Sequence, residues 1–105
     1  MTIVELEEQL QILGLPLAYR QWGEGEEPKL PYILFYRDQS DDFFADNQNY
    51  AAGNQMALKL YTETKDFYQE EQIENLLKNL CIPYQVFEGE LETEGMYEVL
   101  YEFKI

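Results

Sequence analysis

Residues 97–105 read Tyr97-Glu98-Val99-Leu100-Tyr101-Glu102-Phe103-Lys104-Ile105. Tyr97, Val99, Tyr101, Phe103 and Ile105 recur at every second position, while Glu98, Glu102 and Lys104 take the alternate ones. Side chains of an extended chain point alternately to opposite faces, so the stretch predicts a strand with one buried face. Leu100 is the exception on the polar side, which makes it a candidate subunit seam. The preceding Glu92-Thr93-Glu94-Gly95 reads as a hairpin turn. It joins this strand to an earlier one at 84–91, which begins Tyr84-Gln85-Val86-Phe87-Glu88.

Helical periods lie further back. Thr2 and Glu5 have capping-box spacing, and Ile3, Leu6, Leu10 and Leu13 form one apolar stripe. With Gly14 as a stop, this predicts a helix over 3–13. Asp66 can cap a second helix over about 67–80, with Ile73, Leu76, Leu77 and Leu80 on one side. Pro83 ends it. Between the helices, 17–22 is a candidate strand and 23–31, rich in Gly, Pro and Glu, a loop. Tyr32-Ile33-Leu34-Phe35-Tyr36 is apolar on both faces and predicts a strand covered on two sides. Residues 37–54 read mostly as loop, with a short extended piece at 43–45. Met56, Leu58 and Leu60 alternate with Ala57, Lys59 and Tyr61 in a third strand. The expected fold is α+β: a mostly antiparallel sheet of four to five strands with two helices packed against one side. The crossover length from Leu60 to Tyr84 is compatible with one parallel pair there.

At 105 residues the chain fits one domain. Twenty-one acidic residues against seven basic ones give a net charge of −14, with no histidine. Such a surface repels nucleic acid and anionic membranes. Nine tyrosines, six phenylalanines and one tryptophan argue against disorder. The single Cys81, between Leu80 and Ile82, excludes an internal disulfide and reads as a buried structural thiol in a reducing compartment. The first residues lack the pattern of a signal peptide, and no apolar run spans a bilayer. The expectation is a cytosolic protein when made.

Without histidine, histidine-based nucleophile relays and ordinary histidine-containing zinc sites are excluded. Asp38, Asp41, Asp42 and Asp46 do not match the calcium-loop spacing. Two of them beside Phe43 and Phe44 could form an acid–base pair, yet groups that would support catalysis are missing. The reading is of a protein that is not an enzyme and takes no cofactor or metal. Phe43, Phe44 and Tyr50 stand among polar residues without strand or helix period, which fits either contact anchors or a loop plugging the end of the small core. Trp22, beside the 23–28 loop, poses the same choice between core and interface. Arg20, Arg37 and Lys59 are candidate partners for carboxylates across a seam.

Four strings carry a resemblance. They are Leu13-Gly14-Leu15-Pro16-Leu17-Ala18-Tyr19-Arg20, Leu30-Pro31-Tyr32-Ile33-Leu34-Phe35-Tyr36, Phe44-Ala45-Asp46-Asn47 and Met96-Tyr97-Glu98-Val99-Leu100-Tyr101-Glu102. Together they resemble small tail-region proteins of prophages and siphophages of Gram-positive bacteria, above all the tail terminator, or tail completion, group. The resemblance covers nearly the whole chain and implies a single tail-terminator-like domain over 1–105. It implies a homo-oligomeric ring, commonly a hexamer, at the head-proximal end of a tail tube. The ring stops tube polymerisation and offers the surface that joins the head. Implied partners are the major tail protein and head–tail connector proteins, with no catalytic residues. The implied location is the host cytoplasm during assembly, then the virion tail or head–tail interface. The loops at 23–30 and 39–54 would be candidate contacts. Two other classes stay open: an acidic adaptor or inhibitor that binds a basic protein, and a carboxylate enzyme using Asp41 or Asp42.

Overall fold

The computed structural model describes residues 1–38, 53–91 and 95–105. The expected extended piece at 43–45 and most of the 92–95 turn lie outside the described residues. The elements run α1 (Ile3–Gln11), β1 (Leu17–Tyr19), β2 (Tyr32–Arg37), β3 (Gln55–Thr62), α2 (Phe67–Asn79), β4 (Tyr84–Leu91) and β5 (Met96–Lys104). The fold is α+β, with two helices and a five-stranded, mostly antiparallel sheet in the order β1-β2-β3-β5-β4.

The helix ends follow from their capping residues. Glu5 N–H donates to Thr2 Oγ1 at 3.0 Å, and the Thr2 N–H returns a bond to Glu5 Oε1 at 2.8 Å. That backbone bond holds the Glu5 carboxyl below its ordinary value. Asp66 caps α2 by accepting from the Gln69 N–H at 3.1 Å. At the far end of α2, Ile82 N–H reaches the Leu77 carbonyl and Cys81 N–H the Lys78 carbonyl, both at 2.9 Å. These two bonds close a Schellman turn, which needs a left-handed residue at Cys81, where φ is 61°. Cys81 is therefore exposed rather than buried. The turn drives Ile82 into the core and leaves the thiol outside.

One side of the sheet carries the core. Register places Ile33, Leu60 and Val99 in one cross-strand row, and Phe35, Leu58 and Tyr101 in the next. Met56 pairs with Phe103. These residues join Leu6 and Leu10 of α1 and Ile73 and Leu77 of α2 in a single buried cluster. The alternation at 97–105 thus has the expected register: Val99, Tyr101 and Phe103 point inward, with Tyr97 half-buried.

Several local expectations shift. Helix α1 ends at Gln11, and Leu13 and Gly14 continue as tight turns. Strand β1 stops at Tyr19 because Arg20 adopts φ 71° and turns the chain away. The parallel pair is β1 with β2, not a pair across α2. The β3–α2–β4 crossover does run β4 in the direction of β3, but β5 lies between them. Strand β2 has helices on one side only. Its other face is covered at Tyr32, where Trp22 and Tyr61 pack, and is half-open at Leu34 and Tyr36.

Buried phenols set the alkaline limit of this fold. Burial pushes the Tyr101 hydroxyl far above its ordinary value of 10.0, and the nearby Glu74 carboxylate adds to the shift. Tyr61 rises for the same first reason, with Glu98 second. A group raised in the fold stabilises it fully below the ordinary value and loses that contribution as pH climbs above it. Ultraviolet titration should show Tyr61 and Tyr101 ionising only on cooperative unfolding, above about pH 10. Ionisation of all nine in one step without unfolding would contradict their burial.

Candidate functional site

Among the described residues, Trp22, Arg20, Lys59 and Leu100 gather at the helix-free face of the sheet. Its central cross-strand row runs Ala18, Leu34, Lys59, Leu100, Phe87. Flanking rows are Tyr32, Tyr61, Glu98, Gly89 and Tyr36, Ala57, Glu102, Gln85. Leu100 sits half-buried between Lys59 and Phe87, so its departure from the alternation makes an apolar pair with Phe87, which Lys59 separates from Leu34 and Ala18.

At the Tyr32 end, aromatic rings stack edge to face. Trp22 and Tyr32 have ring centroids 5.4 Å apart at 84°, and Tyr32 lies 5.3 Å from Tyr61. The Tyr32 hydroxyl donates to Glu27 Oε2 at 2.9 Å. A groove of about 400 Å³ opens here, lined by Trp22, Glu24, Glu27, Leu34, Tyr61 and Met96 among others. The 21–27 loop supplies one wall, and Glu26 N–H closes a turn onto the Gly23 carbonyl at 2.9 Å.

The other end of β2 is basic. The Arg20 guanidinium lies 4.8 Å from the Tyr36 ring centroid, and the Lys59 ammonium 5.7 Å from it. Arg20 also donates to the Arg37 carbonyl at 3.3 Å, and the Arg37 N–H donates to the Tyr19 hydroxyl at 3.0 Å. Two of the three basic residues assigned to a seam, Arg20 and Lys59, are thus brought to one corner of a strongly acidic chain, where Arg37, opposite Met56 in register, contributes only its backbone.

A third region lies along β4 and the start of α2. Strand β4 pairs with β5 on one side, and among the described residues no strand pairs with its other side. Val86 and Phe87 are 38% and 49% exposed on this edge, pointing to opposite faces. Phe67 and Tyr68, at the beginning of α2, are 74% and 65% exposed. Beside them Lys65 ties helix to sheet, bonding Glu70 Oε1 at 2.7 Å and Glu88 Oε1 at 2.6 Å. Burial draws the Lys65 ammonium down, but its bonds to both carboxylates outweigh this and leave it above its ordinary value.

Sequence reasoning misses Phe87, Val86, Phe67 and Tyr68. Phe87 and Val86 occupy adjacent positions, so no alternation marks either as exposed. Phe67 and Tyr68 precede the apolar stripe of α2, a position that would have flagged them. Of the remaining candidates, Phe43, Phe44, Tyr50, Asp41, Asp42 and Asp46 lie outside the described residues. Among those described, no group of three or more potential metal ligands forms. No described helix is long and apolar enough to cross a membrane. The chain matches no family model, no curated protein and no solved structure.

Proposed function

We propose that this protein is a structural, non-catalytic component of a phage or prophage tail: a terminator that forms a ring, commonly a hexamer, capping the tail tube at the head–tail joint. The observation that carries the assembly part is the β4 edge. An eight-residue edge strand with consecutive exposed Val86 and Phe87, next to exposed Phe67 and Tyr68, is a surface suited to a neighbour. The opposite edge of the sheet is the three-residue β1, so the two edges are unlike. Contact between unlike surfaces repeats head to tail, and it closes into a ring when the rotation between neighbours completes a circle. The resemblance carried by 13–20, 30–36, 44–47 and 96–102 supplies the tail context. A surface of net charge −14 would also let DNA pass without adhering.

Light scattering on the protein, alone and with the cognate major tail protein, tests this. The expected mass is a multiple of the 12.5 kDa protomer, near six-fold for a hexamer. Val86→Lys with Phe87→Lys should return it to the protomer while circular dichroism stays unchanged. Loss of the protein from a virion should give overlong or headless tails. Normal tail lengths with failure at another joining step would instead favour a neighbouring connector component. A monomer that ignores tubes and connectors would favour the acidic adaptor, a reading that the carboxylate-rimmed groove at Trp22 also supports.

A further inference from the structure

We infer that the groove between Trp22, Tyr61 and Met96 is a receptor for an arginine side chain presented by a basic partner protein. The walls and the rim have different chemistry. Leu34, Tyr61 and Met96 supply apolar surface for an aliphatic stem, while Glu24 and Glu27 line the groove and Glu98 stands beside Tyr61 in the sheet. The described ion pairs all belong to Lys65, and none neutralises Glu24, Glu27 or Glu98. A planar guanidinium can donate to carboxylates while lying against a ring, which suits arginine better than lysine. The chain already uses this contact: its own Arg20 lies over Tyr36 at 4.8 Å.

The Trp22 side chain, one wall of the groove, carries an unmet donor beneath its surface. Trp22 Nε1–H is buried with no acceptor among the described residues. Such a group is costly, and indole N–H groups find acceptors when they are buried. A peptide carrying arginine brings backbone carbonyls as well as a cation, so both deficits can be met with a small tilt of the ring. The occupant is a foreign chain rather than a second copy. A surface of net charge −14 draws in a basic chain. The ring contact proposed above uses the β4 edge, so it leaves this groove free for a foreign partner. The inference is independent of ring formation, since a monomer would present the same groove.

Trp22 is the sole tryptophan, so its emission reports on the groove directly. The probe is the tripeptide Gly-Arg-Gly, with Gly-citrulline-Gly as the neutral isostere. The expected result is a saturable emission change with the arginine peptide and none with citrulline. Glu24→Gln combined with Glu27→Gln should weaken binding about tenfold, with circular dichroism unchanged. Equal responses to the two peptides, no response to arginine, or an unaffected double variant would each overturn the inference. Dilution of the protein alone gives a further check. If dilution alters the emission, and Arg20→Ala with Arg37→Ala abolishes that change, the occupant is a second copy and the foreign partner is excluded. Ring failure in the light-scattering test leaves these outcomes untouched, so the two readings fail separately.

Discussion

Phe103→Ala is expected to lower the stability of the protein by about 3–5 kcal/mol, read as a fall in the urea midpoint. Phe103 is 3% exposed and pairs in register with Met56 on one side and Tyr84 on the other. Removing the ring deletes apolar burial and leaves a space that the neighbouring strands hold open. Small domains have roughly 5–15 kcal/mol in total, so this one substitution would consume a large share of it. The effect would extend to the open face, because Glu102 and Lys104 share the strand with Phe103. An unchanged midpoint would mean that β5 is turned over, with Glu102 inside.

Lys65→Met should cost about 1–3 kcal/mol, between the values for losing one partner of an exposed and of a buried ion pair. The side chain of Glu70 is only 9% exposed, while that of Lys65 is 23% exposed, so solvent relieves part of the loss. Glu70 Oε2 is already buried without a partner. Once the ammonium is gone, the remaining oxygen has no counter-charge either. Glu88 suffers less, since it is exposed and still accepts from the Tyr97 hydroxyl at 3.0 Å. Adding Glu70→Leu to the lysine variant should recover most of the loss in thermal denaturation, because two apolar groups then replace two ions. If the double variant is no more stable than the single one, the lysine acts mainly through Glu88 and the ring of Phe67, 4.7 Å away.

The elements with a clean period are legible in the sequence. The alternation at 97–105 gives the inward set of β5, and the stripes of Leu6 with Leu10 and Ile73 with Leu77 give the buried faces of both helices. Strand order is not legible, because a local period says nothing about which strand lies beside which. The insertion of β5 between β3 and β4 depends on contacts far apart in the chain. Cys81 shows a second kind of failure. Its apolar neighbours suggest burial, but a backbone turn with positive φ sends its side chain outward. For the candidate site, Trp22 and Leu100 stand out by residue type. The convergence of Arg20 and Lys59 on Tyr36 does not, since it requires β1, β2 and β3 to be neighbours.

The place of β5 in the sheet bears on how the protein is made. Among the described residues strand β4 pairs with no strand except β5, and β3 has one of its two edges filled by β5. A nascent chain that stops short of Met96 therefore has β1, β2 and β3 able to pair, β4 without its partner strand, and no Val99, Tyr101 or Phe103 to close the core. Translation of nearly all of these 105 residues must precede cooperative folding. Until then the β3 edge and the apolar stripe of α2 are exposed on the ribosome, with the chain's carboxylates as their main protection against self-association.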